Sequence, residues 1–556
     1  MELRRAYRFF PALIALATFL TFLPALQNDW LNWDDTDNFV NNPSYRGLGL
    51  TQLKWMWSTQ PEASWSDHFI PLSWMTLGLD YTLWGMNPFG YHLTNILLHT
   101  ANSAVLYLLA LMIFQITVPA AGALSVRLGA LIAALLFAIH PLRVESVAWV
   151  TERRDVLSGL FFLLAILAYL IAYDPGRPVR RRYYWVCLAC FTLAILSKEI
   201  AVTLPAVLLI LDVYPLARLP LVPRRWMDPQ VRLVWLDKIP FGILASALFV
   251  VMRNISRGKF QFDAMAGLGW YPRFAAPIYN LAFYLGKTLL PIHLSPFYPY
   301  APQKLDPQGA PFEISLAVVL SITAVAILLW RRLPALGAVW AAYIAILSPM
   351  LGFIPSGPRL SNDRNTYLAC IGWAILACAG FALWWNRSRL TRWAIPLCGA
   401  VVVLTLATLT RLQIPVWHDS EALWTQALEV EPSFMAYDNM ADVLVKRGDD
   451  LWAAEYFRKA IEMRPDFTPA HLGLGGCLLK LDRPQEAARE YETVLQLGRD
   501  LAFAHNGLAC ALALEGKLDE AVDHFEQAIR LRPDYQDARK NLAQVVARKN
   551  SSNGTP

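Results

Sequence analysis

Long apolar runs, separated by short polar or basic stretches, fill the first three quarters of the chain. A helix needs about 20 mostly apolar residues to cross a bilayer, and slightly fewer near the lower limit. The runs at 9–26, 93–115, 126–142, 156–173, 183–197, 200–216, 239–252, 312–330, 333–354, 366–385 and 393–411 therefore read as about eleven candidate spans. The first reads as a retained anchor, because Arg4, Arg5 and Arg8 precede it and ALQN after it lacks a small-x-small cleavage pattern. From residue 413 the pattern becomes that of short amphipathic helices with a period of 34. Units align from Phe434, Thr468 and Ala502, with Ala441, Gly475 and Ala509 at one position. Ala453, Ala487 and Ala521 match at a second, and Phe457, Tyr491 and Phe525 at a third. Small residues let the two helices of a hairpin approach, and the aromatic fills the gap. Proline ends the second helix in the outer units (Pro465, Pro533), while the middle one has Arg499. This is the tetratricopeptide pattern, and such arrays bind extended peptides or partner helices.

Composition sharpens the division. Of 556 residues 56% are apolar and 17% charged, against about a quarter charged in soluble globular proteins. A cytosolic enzyme, a disordered chain and a nucleic-acid binder reliant on a basic surface are excluded. The net charge of +6 combines +13 before Gln413 with −7 from there on. Seven cysteines add little; Cys187 and Cys190 have redox spacing but lie inside an apolar run with no second pair, and read as buried packing. The chain divides into a multi-span domain at 1–412, a linker and half-repeat at 413–433 (Trp424, Ala427, Pro432), three repeats at 434–535, and a capping helix and tail at 536–556. The half-repeat is expected to dock the array onto the last span. Short loops rich in Lys and Arg, such as Arg180-Arg181-Arg182, set the orientation. They place the N-terminus in the cytoplasm and the loops 28–90 and 253–311, with the repeats, outside. Lys287 and Pro291 interrupt 275–290, which reads as interfacial or re-entrant.

Chemistry is expected where polar groups gather at one membrane face. The first external loop opens Asn32-Trp33-Asp34-Asp35-Thr36-Asp37. Adjacent carboxylates among tryptophans invite a raised pKa suited to a general base, could equally chelate a divalent ion, or are a solvated surface. On the same side lie His140-Pro141-Leu142-Arg143-Val144-Glu145, then Glu152-Arg153-Arg154-Asp155, then Lys198-Glu199, then Asn362-Asp363-Arg364-Asn365-Thr366-Tyr367. These charges could pair as structural salt bridges, or form a basic pocket for a lipid phosphate beside an acid pair.

Four segments, WDDTDNFVNNPSYRGL, PLSWMTLGLDYTLWGMNPFGYHLTNILLH, HPLRVESVAWVTERRDVLSGLFFLLAILAYL and SKEIAVTLPAVLLILD, resemble the transmembrane-and-tetratricopeptide-repeat O-mannosyltransferases and their bacterial relatives. The DRNTYL segment, a final span, WHDSEALW and the repeats follow in the family's order. The resemblance implies an all-α chain: a polytopic bundle of the C-type glycosyltransferase kind, then an α-solenoid of repeats. It also implies transfer of a mannose-like or other hexose, with inversion, from a polyprenyl-phosphate carrier to Ser or Thr of an extracytoplasmic protein. In a bacterial inner membrane the carrier would be undecaprenyl. By the same resemblance Asp34 or Asp35 is the base and Asp155 a second acid. Arg153, Arg154, Lys198 and Arg364 bind the donor phosphate with Tyr367 beside it, and Asp80, His92, Glu145 and Glu199 shape the cavity. No cofactor beyond a divalent cation is implied. The acceptor is a peptide that the repeats could grip. The segment 263–292 is only loosely similar to the family's large external loop, and His68 is spaced differently from its His-Pro pair. The rival readings are a non-catalytic scaffold that displays the repeats, and a transporter or flippase. Transport calls for two similar halves, which the bundle lacks.

Overall fold

A computed structural model describes residues 9–58, 68–255, 270–353, 359–385 and 387–553. Arg4, Arg5 and Arg8 lie outside these, as do residues 256–269 of the large loop. The chain is almost entirely helical; the one sheet among the described residues is an antiparallel pair, β1 (Tyr298–Pro299) with β2 (Arg359–Ser361). Two compact units divide it, Met1–Asp419 and Ser420–Pro556.

The first unit is a multi-pass membrane bundle. Its main helices are α1 (Phe9–Phe22), α2 (Pro71–Trp84), α3 (Pro88–Thr117), α4 (Ala123–Ala138), α5 (Arg153–Ala172) and α6 (Arg181–Ile195). They continue with α7 (Leu204–Val213), α8 (Tyr271–Leu289), α9 (Pro334–Leu347), α10 (Ile371–Trp384) and α11 (Arg389–Gln413). Among the described residues five helices are long and apolar enough to span a membrane, and three bent pairs raise the number to eight. The runs at 183–197, 200–216 and 333–354 fold as helices of 15, 10 and 14 residues, below that length. Helices α6 and α7 nevertheless run alongside the whole of α5: the Arg180 N–H donates to Ala172 O at its last turn, Lys198 holds Asp155 at its first, and the Tyr169 hydroxyl donates to Asp212. The segment 275–290 lies in α8 up to Leu289; α8 carries Pro277 and Lys287 and is not among those eight.

α3 organises the bundle. Asn87 caps its first turn by accepting from the Phe89 N–H, and Pro88 occupies the first helical position, where no N–H is needed. It packs against α1, α4 and α5, yet one of its buried faces is polar: His92, Asn95, His99 and Asn102 recur at helical spacing and are fully buried. Asn95 serves the broken segment between α4 and α5, and His99 and Asn102 serve the helix ends that flank it. That segment is irregular backbone at the edge of the bundle, so its free carbonyls need donors. The Asn95 amide donates to Val147 O and Trp149 O, both at 3.2 Å, and Asn102 donates to Val156 O at 2.8 Å. His99 Nε2 meets Ala138 O and its Nδ1 meets the Tyr367 hydroxyl, both at 2.8 Å. The HPLRVESVAW stretch is thus held open as short turns instead of closing into a continuous helix.

The second unit is a row of antiparallel helices. α12 (Ser420–Val430) precedes three hairpins, α13 (Phe434–Arg447) with α14 (Asp450–Met463), α15 (Thr468–Lys480) with α16 (Pro484–Leu497), and α17 (Leu501–Leu514) with α18 (Leu518–Leu531). α19 (Gln536–Asn553) closes it. The small and aromatic positions of the 34-residue pattern are buried together. Gly475 shows why: a Cβ there would sit 2.6 Å from the Tyr491 ring. Each hairpin also carries one cross-pair at equivalent positions 34 apart. These are Tyr437 with Tyr456 (rings 5.8 Å apart), His471 with Glu490 (2.6 Å) and His505 with His524 (2.9 Å).

In the bundle, Gly159 faces the Tyr367 ring, and an added Cβ would approach it to 2.7 Å. The ring is fixed by His99 and Asn102, so Gly159→Ala should destabilise the protein by about 1–3 kcal/mol, read as a lowered thermal midpoint in detergent. Gly242→Ala, with open space around it, should leave that midpoint unchanged.

Candidate active site

The polar loops named above meet at one end of the bundle. They enclose a cavity of about 440 Å³ whose wall includes Asp34, Asp37, Arg154, Lys198, Glu199 and Arg364, with His68, Arg359, Asn362 and Asn365. Five segments distant in sequence thus contribute charge to one space.

Glu152 lies beneath the wall, fully buried, and takes three cations. Arg154 Nη2 approaches it at 2.8 Å, Lys198 Nζ at 2.9 Å and Arg364 Nε at 3.1 Å. Lys198 also holds Asp155 at 2.6 Å, whose other oxygen accepts from Ser146 at 3.1 Å. Arg364 pairs in addition with Glu145, which accepts from the Arg364 backbone N–H at 2.9 Å. A buried carboxylate is tolerable only when paired and hydrogen-bonded, and here each pairing fixes a cation at the cavity edge. Glu199 is bound to His68 at 2.7 Å. Burial works against its charge, but the His68 partner prevails and holds its pKa at about 2.

Asp34 and Asp35 separate cleanly. Asp35 is fully buried behind the wall. Its carboxylate accepts from the Thr151 hydroxyl at 2.6 Å, the Thr151 N–H at 3.2 Å and the Leu31 N–H at 3.2 Å. Burial nevertheless pushes its pKa up to about 7. Asp34 lines the cavity, partly exposed, and its carboxylate has no hydrogen bond or ion pair among the described residues. Arg359 is the matching cation. Its guanidinium lies 4.9 Å from the Trp33 ring centre and 3.4 Å from Asn362 Oδ1, and it makes no ion pair among the described residues. Burial, then the neighbouring charge of Arg364, push its pKa down to about 10.

The remaining candidates lie off the cavity. Arg153 is buried against Asp80 at 2.6 Å and donates to Tyr91 O at 2.9 Å, and Thr94 donates to Asp80 at 2.8 Å. His92 is buried in α3. Tyr367 packs among His99, Asn102 and Phe137, its hydroxyl engaged by the first two. Sequence reasoning missed Arg359, which stands outside the DRNTYL motif, and the hub role of Glu152, whose only signal was its place at the head of ERRD. Among the described residues no three His, Cys, Asp or Glu side chains converge as a metal site would need.

Comparison with known proteins can now be read against this geometry. Two models of the tetratricopeptide repeat match residues 452–506 and 502–535. The mouse protein O-mannosyl-transferase TMTC3 is 26% identical over 83% of this chain and 52% of its own length. Human TMTC1 is 26% identical over 84% and 56%. The chain is similar to these TMTC protein O-mannosyl-transferases along most of its length. The chain spans about half the length of these TMTC proteins, while mouse TMTC1 reaches 34% identity over a shorter stretch, 36% of this chain. Among solved structures, ArnT from Cupriavidus metallidurans bound to undecaprenyl phosphate covers 93% of the chain and 79% of its own, at 15% identity and a TM-score of 0.34. YrrB, a tetratricopeptide-repeat protein with a peptide-binding site, covers 40% and 90%, at 16% identity and 0.21.

The Asp35 environment sets a pH dependence in this protein. The unfolded chain releases the proton near 3.8 and the folded chain near 7. The folded state therefore binds more protons in between, and this group's contribution to stability falls as pH rises from about 4 to 7. Thermal midpoints at pH 5 and pH 8 should differ less in Asp35→Asn than in the unaltered protein.

Proposed function

We propose that the chain is an integral membrane glycosyltransferase that moves a hexose from a polyprenyl-phosphate carrier to a Ser or Thr hydroxyl of a protein, with inversion. The observation that carries this reading is the presence, in one polar cavity at the end of an apolar bundle, of a carboxylate, Asp34, and a guanidinium, Arg359, neither of which makes an ion pair among the described residues. Similarity to the TMTC protein O-mannosyl-transferases supports it.

A hydroxyl is a weak nucleophile until its proton is taken as the bond forms. Asp34 is the base: the acceptor oxygen attacks the anomeric carbon, the bond from that carbon to the phosphate oxygen breaks, and the hydroxyl proton passes to the carboxylate. Positioned base catalysis contributes about 10²–10⁴-fold. The lipid phosphate leaves with growing negative charge. Arg359, with Arg154, Lys198 and Arg364 fixed by Glu152, meets that charge without rearranging, which lowers the barrier electrostatically. Asp35 and Asp155 act through their neighbours, Asp35 by anchoring Thr151 beside the base and Asp155 by holding Lys198.

The carrier's chain has a path. A second, apolar cavity lies among α3, α5, α7, α9 and α10. Ile346 lines it one helical turn from Met350 of the polar cavity, and Leu368 lines it one turn from Arg364. A polyprenyl tail in the first would present its phosphate to the second. In this reading the cavity opens on the extracytoplasmic side of a bacterial inner membrane, the N-terminus is cytoplasmic, and the repeats grip the acceptor outside. The domain limits 1–412, 413–433, 434–535 and 536–556 are kept as the functional division.

An in vitro assay with a synthetic polyprenyl-phosphate mannose and a threonine peptide tests this. Asp34→Asn should lower kcat by about 10²-fold or more, and Asp37→Asn should not. Arg359→Ala should weaken use of the lipid donor while leaving the KM for peptide unchanged. Full activity of Asp34→Asn would leave the scaffold reading in its place. Deletion from Phe434 should change which acceptor proteins are modified more than the rate on a short peptide, as glycoprotein mass spectrometry would show.

A further inference from the structure

α5 ends the polar cavity on one side and opens a different one on the other. Its 20 residues rise about 30 Å at 1.5 Å each, which is the thickness of a bilayer's hydrocarbon core. Arg154, on its first turn, belongs to the candidate active site. Leu167 and Ile171, near its last turn, line a separate cavity of about 530 Å³ together with Leu111 and Met112 of α3. The turn after α5 folds back over the opening: Arg177 N–H donates to Asp174 O and Arg180 N–H to Ala172 O, both at 3.0 Å. The result is an aliphatic slot with Arg177 and Arg180 at its mouth.

The charges at the mouth do not cancel. Asp174 pairs with Arg177 at 3.3 Å, while Arg180 makes no ion pair among the described residues. The arginines that follow are occupied elsewhere, Arg181 with Asp237 at 3.2 Å and Arg182 over the Tyr183 ring at 4.8 Å.

We propose that this cavity is a binding site for a phospholipid with an anionic headgroup, its phosphate at Arg177 and Arg180 and an acyl chain in the slot between α3 and α5. The arginines lie where the apolar run of α5 ends, the depth at which hydrocarbon gives way to headgroups. A guanidinium offers a phosphate two parallel hydrogen bonds, and basic pockets between membrane helices are suited to anionic lipids. A water-soluble anion would make no use of the aliphatic walls. The site is separate from the glycosyl-transfer reading and does not depend on it.

The test uses the full chain, delipidated in detergent, with native mass spectrometry of lipid retained after adding phosphatidylglycerol or phosphatidylcholine. One phosphatidylglycerol should be retained in preference to phosphatidylcholine. Arg180→Ala should weaken that retention about fivefold, the factor expected for one arginine at a lipid surface. Leu167→Trp, which fills the slot, should reduce it as well, and Arg182→Ala should not. Equal retention of the two lipids by the unaltered chain would overturn the proposal even if a variant failed to fold. So would retention unchanged in both Arg180→Ala and Leu167→Trp, or displacement of the lipid by millimolar inorganic phosphate.

Discussion

One buried carboxylate holds the polar end of this bundle together. Glu152 binds Arg154, Lys198 and Arg364, which arrive from the start of α5, the α6–α7 turn and the segment before α10. Arg154 has no other ion pair among the described residues, and an uncompensated charge withdrawn from water costs several kcal/mol. Conversely, Glu152 could not be fully buried without them. The cluster is neutralised only when the three segments are together, so the assembly of the site and the closure of this end of the bundle are one event. Asp155 and Glu145 extend the same arrangement outward, each engaging a cation that Glu152 already holds.

That network rests on a broken helix. The turns between α4 and α5 leave carbonyls that they do not satisfy themselves, and Asn95 of α3 donates to two of them. A polar stripe on a membrane helix is expensive in isolation. Here it is repaid by the carbonyls it satisfies, and the turns it stabilises are what bring Glu145 and Glu152 to the cavity. Fold and chemistry are therefore tied through Asn95, His99 and Asn102, none of which touches the cavity.

Much of this was readable beforehand. The 34-residue pattern announced the repeats because small and aromatic positions answer to local packing, which recurs with the sequence. The loops bearing Asp34, Arg154, Lys198 and Arg364 were identifiable because unpaired charge beside apolar runs is rare. What stayed hidden depends on through-space geometry. Adjacent aspartates look equivalent in a sequence, yet Asp35 turns inward to Thr151, 116 positions away, and Asp34 does not. Arg153 and Arg154 are neighbours too, but successive helical positions point about 100° apart, which sends the first to Asp80 and the second to the cavity. Arg359 sits on a two-stranded pairing that no periodicity foretells.

The cross-pairs of the second unit have a different implication. Tyr437–Tyr456, His471–Glu490 and His505–His524 occupy the same rung in successive hairpins, while the alanines, glycines and aromatics that bind the stack lie elsewhere in each unit. A rung can exchange an aromatic couple for an ionic or imidazole one without disturbing the frame. The array is in this sense a keyboard of fixed spacing and interchangeable keys.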